Sequence, residues 1–200
     1  MRRLRAFAFA ALAALLCPLP AHAHLNSTGM GPLYDGALHF LTSPGDLLSA
    51  LALALLAGLQ GPAHGRRAMF VLPGAWLVAA LAGSTLPGVE LGAVASAAWL
   101  LLLGGLLAFG ARPSLPVLTA LAACAGAWHG FLNGTGLGAS AASAVALLGI
   151  AAAVFSLAAL AAALAVAIRA DWARIAVRVI GSWIAASGLL WIGWAARGGG

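Results

Sequence analysis

Six apolar runs, at about 46 to 60, 68 to 86, 91 to 110, 115 to 133, 138 to 168 and 177 to 196, follow one another through connections too short to hold a soluble domain. A helix needs roughly 20 apolar residues to cross the hydrocarbon core, and a backbone inside lipid must satisfy its own hydrogen bonds. The expected fold class is therefore all-α, a polytopic membrane protein with a bundle of about six transmembrane helices. Composition agrees, since 64% of residues are hydrophobic and 7% are charged, where a soluble domain carries about a quarter charged. The net charge of +6 arises from arginines placed between the apolar runs. That placement speaks for topology and against nucleic-acid binding.

Residues 1–23, MRRLRAFAFAALAALLCPLPAHA, place three arginines before an apolar stretch, then Pro18 and Pro20, then Ala21-His22-Ala23. This is the pattern of a cleaved secretory signal peptide with an A-x-A site. Lipidation at Cys17 is disfavoured, because Leu16 stands where that signal wants a small residue. Cys124 is the other cysteine, so neither a disulfide nor a CxxC motif is expected. Cleavage leaves an extracytoplasmic segment at 24–45 and a six-helix transmembrane domain at 46–200. The connections are read as 61 to 68, 84 to 90, 111 to 114, 133 to 138 and 169 to 178. The first, third and fifth carry Arg66, Arg67, Arg112, Arg169, Arg174 and Arg178, and the other two carry no basic residue. The positive-inside rule thus puts both the mature N-terminus and the C-terminus outside a plasma (inner) membrane. The run at 138 to 168 is longer than one bilayer needs, which predicts a broken or tilted helix there. Abundant Ala, Gly and Ser suit close helix packing, and a homo-oligomer is compatible with the sequence. Trp172, Trp183, Trp191 and Trp194 read as interface anchors.

Ionisable groups in or beside spans are costly and usually functional. Of the four carboxylates, Asp35, Asp46 and Glu90 fall on the outer side in this topology, and Asp171 falls inside. His24 and His39 precede the first span, and His129 lies about one turn from the outer end of the fourth. Imidazoles and carboxylates at one water-accessible face suit a divalent transition metal. His24, as the first mature residue, would offer an amine and an imidazole to Ni(II) or Cu(II). Plainer readings stand beside this one. Asp46 and Glu90 each follow a Pro-Gly pair at a helix start, where carboxylates cap N–H groups. His39 suits an interfacial histidine, and His129 a simple interhelical hydrogen bond, with Asn133 on the same helical face at i, i+4.

At these residues the chain resembles the HupE/UreJ family, small membrane proteins associated with nickel supply and regarded as secondary nickel permeases. The resemblance covers essentially the whole chain in layout, and two motifs carry it. His39-Phe-Leu-Thr-Ser-Pro-Gly45-Asp46-Leu47 keeps the His, Gly and Asp of the first motif, with one extra residue and Leu47 for its second His. Trp128-His129-Gly130-Phe131-Leu132-Asn133-Gly134-Thr135-Gly136 keeps the first His and two glycines of the second, with Asn133 for its second His and Gly136 for its Glu. Val89-Glu90-Leu91-Gly92 with Ser96 is similar to the family's third-helix start. The resemblance implies a metal site built from His39, Asp46, Glu90 and His129, supported by Asn133, with His24 and Asp35 as an entrance. The implied cargo is Ni2+, or else Co2+, Cu2+ or Zn2+, with no permanently bound cofactor. No P-loop is present to use a nucleotide. Neither an HExxH helix nor a nucleophile with its base marks an enzyme. The competing expectation is a non-transporting membrane module that binds metal outside or assembles with another membrane protein.

Overall fold

Proline and glycine decide where the helices begin. In the computed structural model, which describes residues 28–86 and 93–198, the described residues form seven helices and no strand. These are α1 (Pro32–Thr42), α2 (Pro44–Leu59), α3 (Pro62–Ser84), α4 (Ala93–Ala108), α5 (Leu115–Leu137), α6 (Ala141–Ala167) and α7 (Asp171–Gly198). The first three each open on a proline, whose missing N–H costs nothing in the first turn. Between α2 and α3 the chain turns in two residues, Gln60 and Gly61. Gly61 at φ 112° adopts the left-handed backbone that a side chain would resist.

The helices alternate in direction. Asp46 at the start of α2 meets His129 toward the end of α5, while Gln60, His64, Arg112 and Arg174 come together at the other end. Arg66, Arg67, Arg112, Arg169, Arg174 and Arg178 thus lie at or near the end opposite Asp46, and Arg197 ends α7 on the Asp46 side. The core is centred on α2, whose residues 52–58 are all buried. Such an all-round apolar helix belongs inside a bundle. Around it α3 packs on α5, α4 on α7, and α6 on α1, α2 and α3. Leu160, Leu164, Trp183, Leu190 and Trp194 are exposed on the outer surface, as side chains facing lipid would be.

Four helices, α3, α5, α6 and α7, are long and apolar enough to cross a membrane, and the bent pair α1–α2 makes a fifth if it is one span. Within the described range α4 has 16 residues, about 24 Å at 1.5 Å per residue.

Several boundaries differ from expectation for identifiable reasons. The segment before the first span contains α1, which packs on α6 and meets α2 at 77°. Pro44 forces Ser43 into an extended conformation, and the Ser43 hydroxyl and N–H satisfy the carbonyls of His39 and Phe40 at the end of α1. The break therefore falls at Ser43. The 138 to 168 run holds one continuous helix of 27 residues. The connection read at 61 to 68 is helical from Pro62 and that at 169 to 178 from Asp171, because a few charged residues at a helix end do not outweigh the turns they extend. The connection read at 133 to 138 is helical through Leu137. There Gly134 lies against the Ala80 carbonyl, and Asn133 has its amide bonded on both sides. Residues 1–23 and 87–92 lie outside the described residues, and with them the signal peptide and Glu90.

Gly126, Gly130 and Gly134 form an i, i+4 ridge along α5. A Cβ on any of them would run into the backbone of α3, at the carbonyls of Leu72, Trp76 and Ala80 respectively. Without a hydrophobic effect between helices in lipid, such close backbone approach is what holds them together. It also sets where His129 and Asn133 stand relative to α3.

Candidate functional site

Asp46 is the third residue of α2, where the positive end of the helix dipole favours an anion. Among the described residues its side chain bonds to no group of its own helix. Instead it crosses to α5, accepting from Asn133 Nδ2 at 2.9 Å through Oδ2 and pairing with His129 Nδ1 at 2.8 Å through Oδ1. His129 and Asn133 reach the same carboxylate because they stand one turn apart on one face. Trp76 of α3 closes the cluster, donating Nε1–H to Asn133 Oδ1 at 3.1 Å. These neighbours fix the amide's orientation, with its oxygen toward the indole N–H and its nitrogen toward the carboxylate.

The rings are fixed as well. Trp76 stacks on the His129 imidazole at 5.3 Å and 18°, and Phe40 of α1 meets Trp76 edge-on at 5.8 Å and 84°. Four helices thereby hold one imidazole, which is 1% exposed. With Nδ1–H donating to the carboxylate, the lone pair of neutral His129 sits on Nε2. That atom is buried and has no hydrogen-bond partner among the described residues, and neither has Ser49 Oγ, one turn further along α2. An unmatched polar atom in an apolar bundle costs on the order of 1–3 kcal/mol. A carboxylate on one ring nitrogen and a free lone pair on the other is the arrangement that orients imidazole for a metal ion.

The other sequence-predicted ligands are placed differently. His39 is half-buried on α1, and its imidazole makes no hydrogen bond among the described residues. Its neighbour Phe40 reaches the cluster instead. Asp35, in the first turn of α1, accepts from the N–H and hydroxyl of Thr28. Glu90 and His24 lie outside the described residues. Among the described residues no three His, Cys, Asp or Glu side chains gather as a metal-holding group. The structure brings together Asp46, His129 and Asn133, and adds Trp76 and Phe40, which the sequence reading did not single out. Trp76 had one available signal: it lies in the middle of an apolar run rather than at an end, where interface tryptophans collect. A second indole, Trp128, donates to Ser96 Oγ at 3.1 Å and ties α5 to α4.

The role of the indole N–H can be isolated. Trp76→Phe keeps an aromatic ring over His129 and leaves Asn133 Oδ1 without its donor. We expect a loss of about 1 kcal/mol, read as a lowered melting temperature of the purified protein in detergent.

A family model described as HupE / UreJ protein matches residues 12–191. No curated protein and no solved structure matches the chain.

Proposed function

The chain belongs to the HupE/UreJ family, and from that premise we propose that this multi-pass membrane protein is a secondary permease for a divalent transition-metal ion, nickel first among Ni2+, Co2+, Cu2+ and Zn2+. The observation that carries this reading is the buried Nε2 of His129, without a partner among the described residues and held in a ligating orientation by Asp46. Imidazole nitrogen suits late first-row ions, and the adjacent carboxylate supplies countercharge. On arrival the ion exchanges a water for Nε2, with His39, Asp35, Glu90 and His24 serving its approach from outside. A single strong imidazole ligand favours release over retention, as a transport site requires.

The topology that goes with this reading has a signal peptide at 1–23, an outer segment at 24–45 and six spans, with both mature ends outside the plasma membrane. The gathering of arginines at the end opposite Asp46 supports that orientation. No resident cofactor and no chemical step belong to it. Transport is channel-like or gradient-coupled.

The test is inductively coupled plasma mass spectrometry of cells with and without the protein, challenged with Ni, Co, Cu, Zn and Mn at equal concentrations. Accumulation of one ion only where the protein is present names the cargo. Equal contents for every ion refute import and leave a non-transporting, metal-binding or assembly module as the better reading.

A further inference from the structure

The end of the bundle opposite Asp46 contains a cavity of about 580 Å³ between the end of α2, the start of α3, the α4–α5 connection and the first turns of α7. Its depth along α2, from Asp46 to Gln60, is roughly 21 Å away from the His129 cluster. Arg112, Arg174, Arg178 and His64 line it, and no carboxylate does. Among the described residues no arginine lies within ion-pair distance of a carboxylate, so none of the three guanidinium groups has a carboxylate partner there. Arg178 spends one donor, its Nε–H going to the Ala108 carbonyl at the end of α4 at 2.8 Å. A guanidinium has five N–H donors, and this one is held with its outer face unspent. Three positive groups around one hollow repel one another unless an anion joins them.

The lining also has an apolar part, the partly exposed Leu59 and Leu115, with Leu56 and Leu107 buried beneath. A free inorganic anion gains nothing from leucine. A molecule with a phosphate at one end and hydrocarbon at the other matches both parts of the lining, and a bilayer surrounds the protein with such molecules. Basic hollows between helices at a membrane surface are suited to anionic headgroups. We propose that this cavity binds the phosphate of an anionic phospholipid, with Arg112, Arg174 and Arg178 on the headgroup and the leucines against its glycerol and upper acyl chain.

Arg66 and Arg67 provide an internal control, because they lie at the same end and do not line this cavity. Native mass spectrometry of the detergent-solubilised full chain would compare wild type, the pair Arg112→Gln with Arg174→Gln, and the pair Arg66→Gln with Arg67→Gln. Each is offered phosphatidylglycerol, phosphatidylcholine or inorganic phosphate. The expected result is retention of phosphatidylglycerol by wild type and by the Arg66/Arg67 pair, with affinity at least about tenfold lower in the cavity pair. Phosphatidylcholine should bind weakly to all three, and phosphate should not displace the lipid. Equal losses in both pairs would reduce the effect to overall charge, undiminished binding in the cavity pair would remove the site, and displacement by phosphate would make it a free-anion site. Each of these overturns the proposal. Should the cavity pair melt below wild type in phosphatidylcholine, the single change Arg174→Gln is decisive, since this exposed side chain makes no hydrogen bond among the described residues.

Discussion

His129→Asn is expected to reduce metal accumulation to the level of cells lacking the protein while leaving the protein folded in the membrane. The asparagine amide nitrogen falls close to the place of Nδ1, so Asp46 keeps a donor and the α2–α5 contact survives. What disappears is Nε2, the atom that has no partner among the described residues. His129→Ala is a poorer test, because it strips Asp46 of its closest partner and leaves a buried carboxylate held by Asn133. Taking a hydrogen-bond partner from a buried polar group in this way costs about 1–3 kcal/mol, and more where the group is charged, enough to confuse loss of function with loss of fold. Asp46→Asn keeps an oxygen acceptor for Nδ1–H and takes away the anionic neighbour of the imidazole, while its NH2 faces the donating amide of Asn133, so its metal content is compared per folded protein. Orienting partners of this kind are worth roughly 10–100-fold in metal affinity, so accumulation at low external metal should fall by about that factor and recover at high metal. The measurement is metal content per membrane-inserted protein. Wild-type accumulation by His129→Asn would remove Nε2 from the transport path.

The second large effect concerns the glycine ridge. Gly130→Val should abolish recovery of folded protein from the membrane. Its side chain would have to occupy the place of the Trp76 carbonyl, and backbone cannot yield as a flexible side chain does. Separating α3 from α5 to make room gives up the contact that positions Trp76 against both His129 and Asn133. Gly136 supplies the contrast, since it lies on the same helix and a Cβ there meets nothing within 4 Å. Gly136→Ala should be neutral or stabilising by up to about 1 kcal/mol through helix propensity. Monodispersity in size-exclusion chromatography, together with a melting curve, distinguishes the two. Normal behaviour of Gly130→Val would mean that α3 and α5 are not held by backbone contact.

Much of the helical layout was legible because lipid leaves a chain few options. Apolar runs became helices, and deviations gathered at their ends, where Pro62 and Asp171 open helices earlier than hydropathy alone suggests. The helix α1 was hidden because its sequence, PLYDGALHFLT, mixes polar and apolar residues without a long run. Its place depends on Gly36 and Gly149 allowing close contact with α6, a tertiary fact. In the site, Asp46, His129 and Asn133 stood out as polar residues amid hydrocarbon-compatible ones, and the spacing of the last two showed a shared face. Whether Asp46 caps its own helix or reaches another could not be read from a Pro-Gly-Asp start, since both uses want a carboxylate there. Trp76 was easily passed over because an aromatic residue inside an apolar run looks like filling, and Phe40 because it lies in the mixed sequence of α1. Asn133, in the position of a histidine in the family motif, is an example of changed duty, since it bonds the carboxylate and the indole at once.

The chain of bonds from Trp76 through Asn133 to Asp46 joins three helices whose remaining contact surfaces are chiefly leucine, alanine and glycine. Between α3 and α5 the glycine ridge already forbids a slip, but α2 meets these two helices chiefly through leucine and alanine, and surfaces of that kind, immersed in hydrocarbon, can slide or rotate slightly with little change in packing energy. A shift of one residue along a helix moves every side chain by about 1.5 Å and turns it by about 100°, which no hydrogen bond of this cluster could follow. The polar cluster therefore works as a key: it tells α2 which of several similar alignments to adopt against the α3–α5 pair, at the level in the bundle where that alignment also sets the aim of a histidine.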